Sequence, residues 1–338
     1  MILVTGGTGL VGSHLLYDLV KSGEHVRALR RESSNLQNVL RTFEYYSPNA
    51  QELFSKIEWV YGNILDFYSL TDALDDVKKV YHAAAFVSFS PSDKYRMLKN
   101  NIEGTANIVN ASLEQKIEKL CYISSTAALG ASYSGKLVDE NVLWSPSKKN
   151  STYSVSKFNS EVEVWRGIAE GLKAVILNPS IIFGPGNWER GSAKMFTTIW
   201  KGMNFYTLGA TGFVDVRDVT RVMTELMNND ISSERFIISS ENLSYKEVFE
   251  NIADALGKKR PDIYANTFLS EIAWRGDWLR NKVLGTSRVI TKETISAGRN
   301  KVYFSNKKIK ETIGIEFIPI EKTIKETAKL FLEDFETK

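Results

Sequence analysis

The chain has 338 residues, 43% hydrophobic and 25% charged, with a net charge of +3. This composition suits a globular α/β protein, either one large domain or a main domain carrying a smaller one, and the charge is too small to imply nucleic acid or a membrane surface as partner. A single cysteine, Cys121, excludes a disulfide framework, and His14, His25 and His82 have no metal-ligand spacing, so no metal is expected. No run approaches transmembrane length, and the first strand-like run starts at residue 1, so the expected compartment is the reducing cytoplasm.

The apolar run Met1–Val4 leads into TGGTGLVGSHLL, Thr5 to Leu16. Gly7, Gly9 and Gly12 form one phosphate-loop spacing, and Gly6, Gly9 and Gly12 another. Leu15, Leu16, Leu19 and Val20 then recur at helical spacing until Gly23 stops the helix. Strand, glycine turn and helix together are the opening of a dinucleotide fold: small residues admit the pyrophosphate, and the helix N-terminus offers free N–H groups. Without a ligand the same residues would be a plain tight turn.

Further strand-like runs follow at His25–Leu29, Ile57–Tyr61, Lys79–Ala83, Leu120–Ser124 and Ala174–Leu177. Helical patterns lie near Leu70–Val77, Tyr95–Leu113 and Tyr153–Gly171. The alternation predicts a doubly wound parallel sheet of Rossmann type. Glu32–Lys56 is polar, holds one short helix and reads as an insertion at the sheet edge. After Gly184-Pro185-Gly186 the pattern loosens into a smaller, mostly helical region. It contains an amphipathic helix ending at Gly257, an aromatic helix around Trp274 and Trp278, and a charged C-terminal helix. Lys307, Lys308 and Lys310 read as a solvated helix face. The expected division is a dinucleotide domain at 1–182, to which 211–240 returns, and a substrate region at 183–338.

Two patterns carry chemistry. In HVRALRRES, Arg30 stands eighteen residues after Gly12, where many dinucleotide folds place an acid on the adenosine ribose. A guanidinium attracts a 2′-phosphate that a carboxylate repels, so NADP is favoured over NAD; the plainer reading leaves Arg30 and Arg31 facing solvent. In YSVSK, Tyr153 and Lys157 lie one helical turn apart, and a nearby ammonium is expected to lower the phenol's pKa for acid/base work. Tyr17–Lys21, Tyr95–Lys99 and Tyr303–Lys307 share that spacing. Only Tyr153–Lys157 opens a helix shortly after a strand ending in hydroxyls, CYISSTAALG, and strand ends are where such sheets bind ligands. The plainer reading of Tyr153 is a core anchor.

The ordered set TGGTGLVG, VYHAAA, NNIEGTANIV, YISSTAALG, YSVSK and LNPSIIFGPG, continued by FVDVRDV, resembles the extended short-chain dehydrogenase/reductases, the NAD(P)-dependent epimerase/dehydratase family. The resemblance implies that Ser125 hydrogen-bonds the substrate oxygen, with Ser124 and Thr126 as rivals; Ser125 matches by standing five residues before Gly130. It implies that Tyr153 is the acid/base, that Lys157 holds the nicotinamide ribose and that Asn101 supports the site. Leu10 and Val11 would join the glycines on the pyrophosphate, Ala83 and Ala84 would line the cofactor, and Pro179 would lie near the nicotinamide. Asn63-Ile64 replaces the usual Asp before an aliphatic residue at the adenine. The helices near Tyr95–Leu113 and Tyr153–Gly171, carrying Val155, Val162 and Trp165, would meet their symmetry mates in a homodimer.

Departures from the family pattern narrow the activity. Ala127 and Ala128 replace the Asp-Glu pair that 4,6-dehydratases use for elimination, and Asn178 replaces an arginine common in sugar-nucleotide enzymes. EHVRALRRESSNL and NPSIIFGPG are similar to the dihydroflavonol-4-reductase-like branch. The expectation is therefore an NADPH-dependent reductase of a ketone or aldehyde, with a nucleotide-sugar epimerase as alternative and a non-catalytic redox sensor behind both. Trp188, Trp200, Phe205, Phe213, Trp274 and Trp278 suit an apolar carbonyl substrate, though aromatics of this kind also build cores.

Overall fold

A computed structural model describes residues 1–88, 90–130, 136–148, 150–266, 295 and 298–336. The first half alternates β1 (Ile2–Thr5), α1 (Leu10–Lys21), β2 (Val26–Arg30), α2 (Gln37–Tyr46), α3 (Ala50–Ser55), β3 (Glu58–Tyr61), α4 (Phe67–Ala73), β4 (Lys79–His82), α5 (Lys94–Glu114), β5 (Lys119–Ile123), α6 (Thr152–Ala169) and β6 (Ala174–Pro179). There follow β7 (Ile181–Phe183), α7 (Lys194–Trp200), β8 (Phe205–Tyr206), β9 (Ala210–Asp215), α8 (Val216–Met227), β10 (Glu234–Ile238), β11 (Glu241–Ser244), α9 (Tyr245–Ala255), β12 (Ile263–Tyr264), α10 (Lys307–Ile313) and α11 (Ile320–Glu336).

Seven parallel strands form the main sheet in the order β10-β6-β5-β4-β1-β2-β3. This is the Rossmann-type architecture that the alternation predicts. The central strands read as continuous apolar runs because helices cover both faces: every residue of β5 and β6 is buried. One face is filled by α1 and α8 with Leu15, Leu16, Val219 and Met223, the other by α4, α5 and α6 with Leu70, Ile108 and Val164. The order reverses between β1 and β4, and a sheet of this kind binds its ligand beyond the strand ends at that point.

Glu32–Lys56 differs from its expected form. It folds into two helices, and these are part of the core: Val39, Phe43 and Ala50 are buried against α1, with the Tyr17 and Phe43 rings 5.4 Å apart edge to face. A polar composition hid a narrow apolar stripe. The run at Lys307–Lys310 is also only partly solvated, because Ile309 is buried and Lys308 bonds the Glu234 carboxylate and the Arg235 carbonyl.

A second sheet, β11-β9-β7, packs with α7, α9 and α11 around its own core. Trp188, Phe196, Phe213 and Phe331 are buried there, and Trp200 leans on Phe331. Trp188, Trp200 and Phe213, expected beside a substrate, are thus core residues, packed because this smaller region must bury its own apolar faces. Phe205 is exposed on β8. Trp274 and Trp278 lie outside the described residues. Among the described residues, no helix is long and apolar enough to cross a membrane.

Candidate active site

The site begins at the glycine turn. Gly6 follows β1 with φ +73°, and a Cβ there would stand 2.5 Å from the Ala84 nitrogen and 2.6 Å from the Ala83 carbonyl. A Cβ on Gly12 would stand 2.1 Å from the Gly6 oxygen, so both positions need glycine for the turn to sit under α1. Gly9 caps α1 and donates its N–H to Gly6 at 2.9 Å. Leu10, Val11 and Gly12 occupy the first turn, where helical N–H groups have no preceding carbonyl and carry the positive end of the dipole. This is a cradle for a diphosphate, and Ala83 and Ala84 form its wall.

At the end of β2, Arg30 stacks on the Tyr61 ring, 4.2 Å from its centroid, and donates Nη2–H to the Tyr61 hydroxyl at 2.5 Å. Its Nε is buried without a partner. A half-buried guanidinium with donors to spare, one strand from the glycine turn, fits a phosphate on the adenosine ribose. Arg31 is exposed. Asn63 uses its side-chain oxygen locally, accepting the Leu65 N–H at 3.0 Å. The Ile64 side chain is buried against Gly104, so only its backbone could serve an adenine.

Behind the cradle, a buried chain of groups joins β1, β4 and α5. The His82 ring pairs through Nδ1 with Thr5 Oγ1 at 2.7 Å and through Nε2 with Thr105 Oγ1 at 3.0 Å. Burial, assisted by the Lys157 charge, pushes His82 down to about 3; burial pushes His14 down to about 4. Both rings therefore stay neutral in the fold but titrate at the ordinary 6.5 when unfolded. Stability from this source is full above 6.5 and is lost progressively as the pH falls toward the folded values. At about 1.4 kcal/mol per pH unit for each ring, the two together should cost about 4 kcal/mol between pH 7 and pH 5. Urea unfolding at the two pH values measures this directly, and equal free energies would contradict it.

The hydroxyl, phenol and ammonium singled out in the sequence lie at the end of β5 and the start of α6. Ser151 caps α6 by accepting the Ser154 N–H, which sets Tyr153 in the first turn. The Ser125 hydroxyl acts on the Tyr153 phenol, lowering its pKa against burial, and it accepts the Ala127 N–H at 3.1 Å. Of the three hydroxyls in sequence, Ser124 points inward, donating to Glu161 at 2.8 Å. Thr126 opens the short turn Thr126–Ala128, and of the three it is the Ser125 hydroxyl that lowers the Tyr153 pKa.

Lys157 is 2% exposed. Its ammonium donates to the Ile123 carbonyl at 2.7 Å and the Tyr122 hydroxyl at 3.2 Å. Burial brings it down to about 7 against the opposing pull of Glu161. The expected effect on the phenol is not found: burial raises the Tyr153 pKa and the Ser125 hydroxyl lowers it, with no counterpart from Lys157. The ammonium is turned toward the end of β5, and desolvation dominates the phenol.

Asn101 is buried on α5. It accepts the Phe86 N–H at 2.7 Å and donates to the Phe86 carbonyl at 3.0 Å and the Ser156 hydroxyl at 3.2 Å. It thereby ties the loop after β4 to α6 beside Tyr153. Pro179 is buried at the end of β6. Of the other Tyr–Lys pairs, Tyr17 is core, with its hydroxyl on the Tyr46 carbonyl at 3.0 Å, and Tyr95 is exposed.

Three groups were missed from sequence. Tyr61 holds Arg30, Asn178 donates to the Ser125 carbonyl at 3.0 Å, and Glu161 gathers Ser124, Asn178 and Arg235. Glu161 was findable, because it lies one helical turn beyond Lys157 and so shares its face.

A phosphate cradle at the switch point, with serine, tyrosine and lysine at the neighbouring strand end, defines a nicotinamide-dependent oxidoreductase of the short-chain type. The pattern of the NAD dependent epimerase/dehydratase family matches residues 2–239, and the chain belongs to that family. The chain is similar to a protein of Synechocystis sp. (strain ATCC 27184 / PCC 6803 / Kazusa), provisionally named a dihydroflavonol 4-reductase. That similarity is 28% identity over 97% of this chain and 93% of the relative. It is 25% identical to cinnamoyl-CoA reductase 1 of Petunia hybrida over 98% of this chain and 92% of that one. Its fold is similar to that of UDP-glucose 4-epimerase of Thermotoga maritima, with a TM-score of 0.78 at 21% identity over 99% of both chains.

Proposed function

We propose that the protein reduces a ketone or aldehyde with NADPH. The observation that carries this reading is Arg30, a guanidinium with an unpartnered buried Nε at the β2 end. A 2′-phosphorylated cofactor suits net reduction, in which cofactor is consumed and exchanged at every turnover. The bound nicotinamide supplies a hydride to the carbonyl carbon. Tyr153 donates the proton to the carbonyl oxygen, Ser125 holds that oxygen by hydrogen bond, and Lys157 holds the nicotinamide ribose.

The neighbouring residues support reduction over elimination or sugar-nucleotide work. Ala127 and Ala128 offer no second acid/base, and the Asn178 amide nitrogen is spent on Ser125 and Glu161. Beside Tyr153, the Trp144 indole donates to Ser154 at 3.1 Å and stacks on Phe158 at 4.2 Å. With Val87 and Leu143 exposed on the adjoining loops, this rim suits an apolar or aromatic carbonyl compound. The names of the relatives as dihydroflavonol and cinnamoyl-CoA reductases agree with that class. Purified protein should oxidise NADPH stoichiometrically with a member of an aromatic aldehyde and ketone panel. The epimerase reading, which the Thermotoga maritima fold keeps alive, requires instead tightly held NAD and interconversion of a nucleotide sugar with no net NADPH loss.

A homodimer through α5 and α6 belongs to the same proposal. Leu98, Ile102 and Ala106 form a half-buried apolar stripe at helical spacing on α5, and Val162 is 44% exposed on α6. Trp165 is turned inward, its indole donating to Glu161 at 3.3 Å. Sedimentation at micromolar concentration should give the dimer mass; monomer alone would exclude it.

A further inference from the structure

Glu161 is 2% exposed, and its carboxylate is surrounded by donors from four elements. Oε2 accepts the Ser124 hydroxyl after β5 at 2.8 Å and the Asn178 amide on β6 at 2.9 Å. Oε1 accepts the Arg235 guanidinium on β10 at 3.1 Å and the Trp165 indole on α6 at 3.3 Å. The same Asn178 nitrogen donates to the Ser125 carbonyl at 3.0 Å. Arg235 is fixed in turn by the Glu140 carbonyl, which accepts its Nε–H at 3.0 Å.

A buried ion pair is a poor investment for stability alone, since desolvation offsets most of the attraction. This one sits where its geometry bears on the reaction. It pins the backbone on both sides of Ser125, and its charge lies one helical turn from Lys157. We propose that Glu161 is a positioning residue: it sets Ser125 through Ser124 and Asn178, and it keeps the Lys157 ammonium charged. The roles of Ser125 and Lys157 rest on the reductase reading above; the link from Glu161 to Ser125 runs through hydrogen bonds, and that to Lys157 through their one-turn spacing on α6.

The groups around Lys157 make the charge effect specific. Tyr122 and the Ile123 carbonyl face it from β5, His82 acts on it from β4, and Glu161 from its own helix. His82 is neutral, so Glu161 is the anionic group that opposes desolvation of the ammonium.

The test follows Lys157 itself, in full-length protein labelled with ¹³C at lysine Cε, its signal assigned by comparison with Lys157→Met. In Glu161→Gln the Lys157 titration midpoint should fall by at least about one pH unit, because the favourable charge is gone. The alkaline limb of kcat should move down with it, while a merely structural role would lower only Tm. Since Glu161→Gln strands Arg235, the paired variant Glu161→Gln/Arg235→Met removes both charges and is read in the same way. A Lys157 midpoint unchanged from the parent in either folded variant overturns the charge role. Asn178→Ala keeps the ion pair and addresses the other arm. It should leave the Lys157 midpoint in place and lower kcat about tenfold or more, as expected for a misplaced catalytic group; a parental kcat overturns the Ser125 role. The NMR midpoints need no turnover. Failure of every carbonyl substrate would therefore count against the reductase reading and leave the Glu161–Lys157 link to be judged separately.

Discussion

Tyr153→Phe is expected to keep the fold and the affinity for NADPH while kcat falls by about 10²- to 10⁴-fold, the usual contribution of a positioned proton donor. The ring stays in place at the head of α6, and the substitution removes one oxygen, the one on which the Ser125 hydroxyl acts. Nothing in the glycine turn, Arg30 or the Lys157 contacts depends on that oxygen, so cofactor titration should be unchanged. The loss should appear in kcat more than in KM, because proton transfer belongs to the transition state. Phe at Tyr17 or Tyr95 provides the contrast. The first loses a buried hydrogen bond to Tyr46 and should cost stability alone; the second alters an exposed surface and should cost little of anything. Turnover retained in Tyr153→Phe would remove this residue from the chemistry.

The raised phenol pKa gives this expectation a further sense. A phenol held above its ordinary value by burial stays protonated at neutral pH, which is the state a reductase needs in its proton donor. The sequence reading expected Lys157 to lower the phenol's pKa, because helical spacing places Lys157 on the face of Tyr153 without saying where its long side chain points. That direction is set by the Ile123 carbonyl at the end of β5, a long-range contact that no local pattern contains.

Similar reasoning separates what was legible from what was not. Six of the seven strands of the main sheet, all but β10, could be read because buried parallel strands are continuous apolar runs, and the helices near Leu70–Val77, Tyr95–Leu113 and Tyr153–Gly171 because helices show their period. The α2–α3 segment was misjudged because two short helices need few apolar residues to dock on α1, and Val39 and Phe43 suffice. The aromatics of the second half were ambiguous for a different reason. A large apolar side chain serves a core and a binding pocket equally well, and only the packing of Trp188 on Phe331, 5.1 Å between ring centroids, decides for the core. Ser125 was separated from Ser124 in sequence by the family spacing alone; in the structure the Ser124 hydroxyl is spent on Glu161, whereas the Ser125 hydroxyl acts on the Tyr153 phenol.

Arg30→Glu is the second variant with a large expected effect: NADPH affinity should fall by about 100-fold, which is about 2.7 kcal/mol, while NADH binding changes little or improves. The substitution removes charge-assisted donors and places a carboxylate where the 2′-phosphate would lie. Tyr61 makes the change local, since its ring supports the guanidinium from the neighbouring strand and remains when the arginine is gone. A carboxylate at this position can instead accept the two ribose hydroxyls of NAD, the arrangement many dinucleotide folds adopt. Calorimetric titration of both cofactors into parent and variant supplies the comparison. The parent's preference for NADPH should also weaken as salt is raised, because the contact is between charges near the surface. Equal affinities for NADPH and NADH in the parent would contradict the assignment. They would also remove the main support for net reduction, since the choice of cofactor and the direction of the chemistry rest on the same guanidinium.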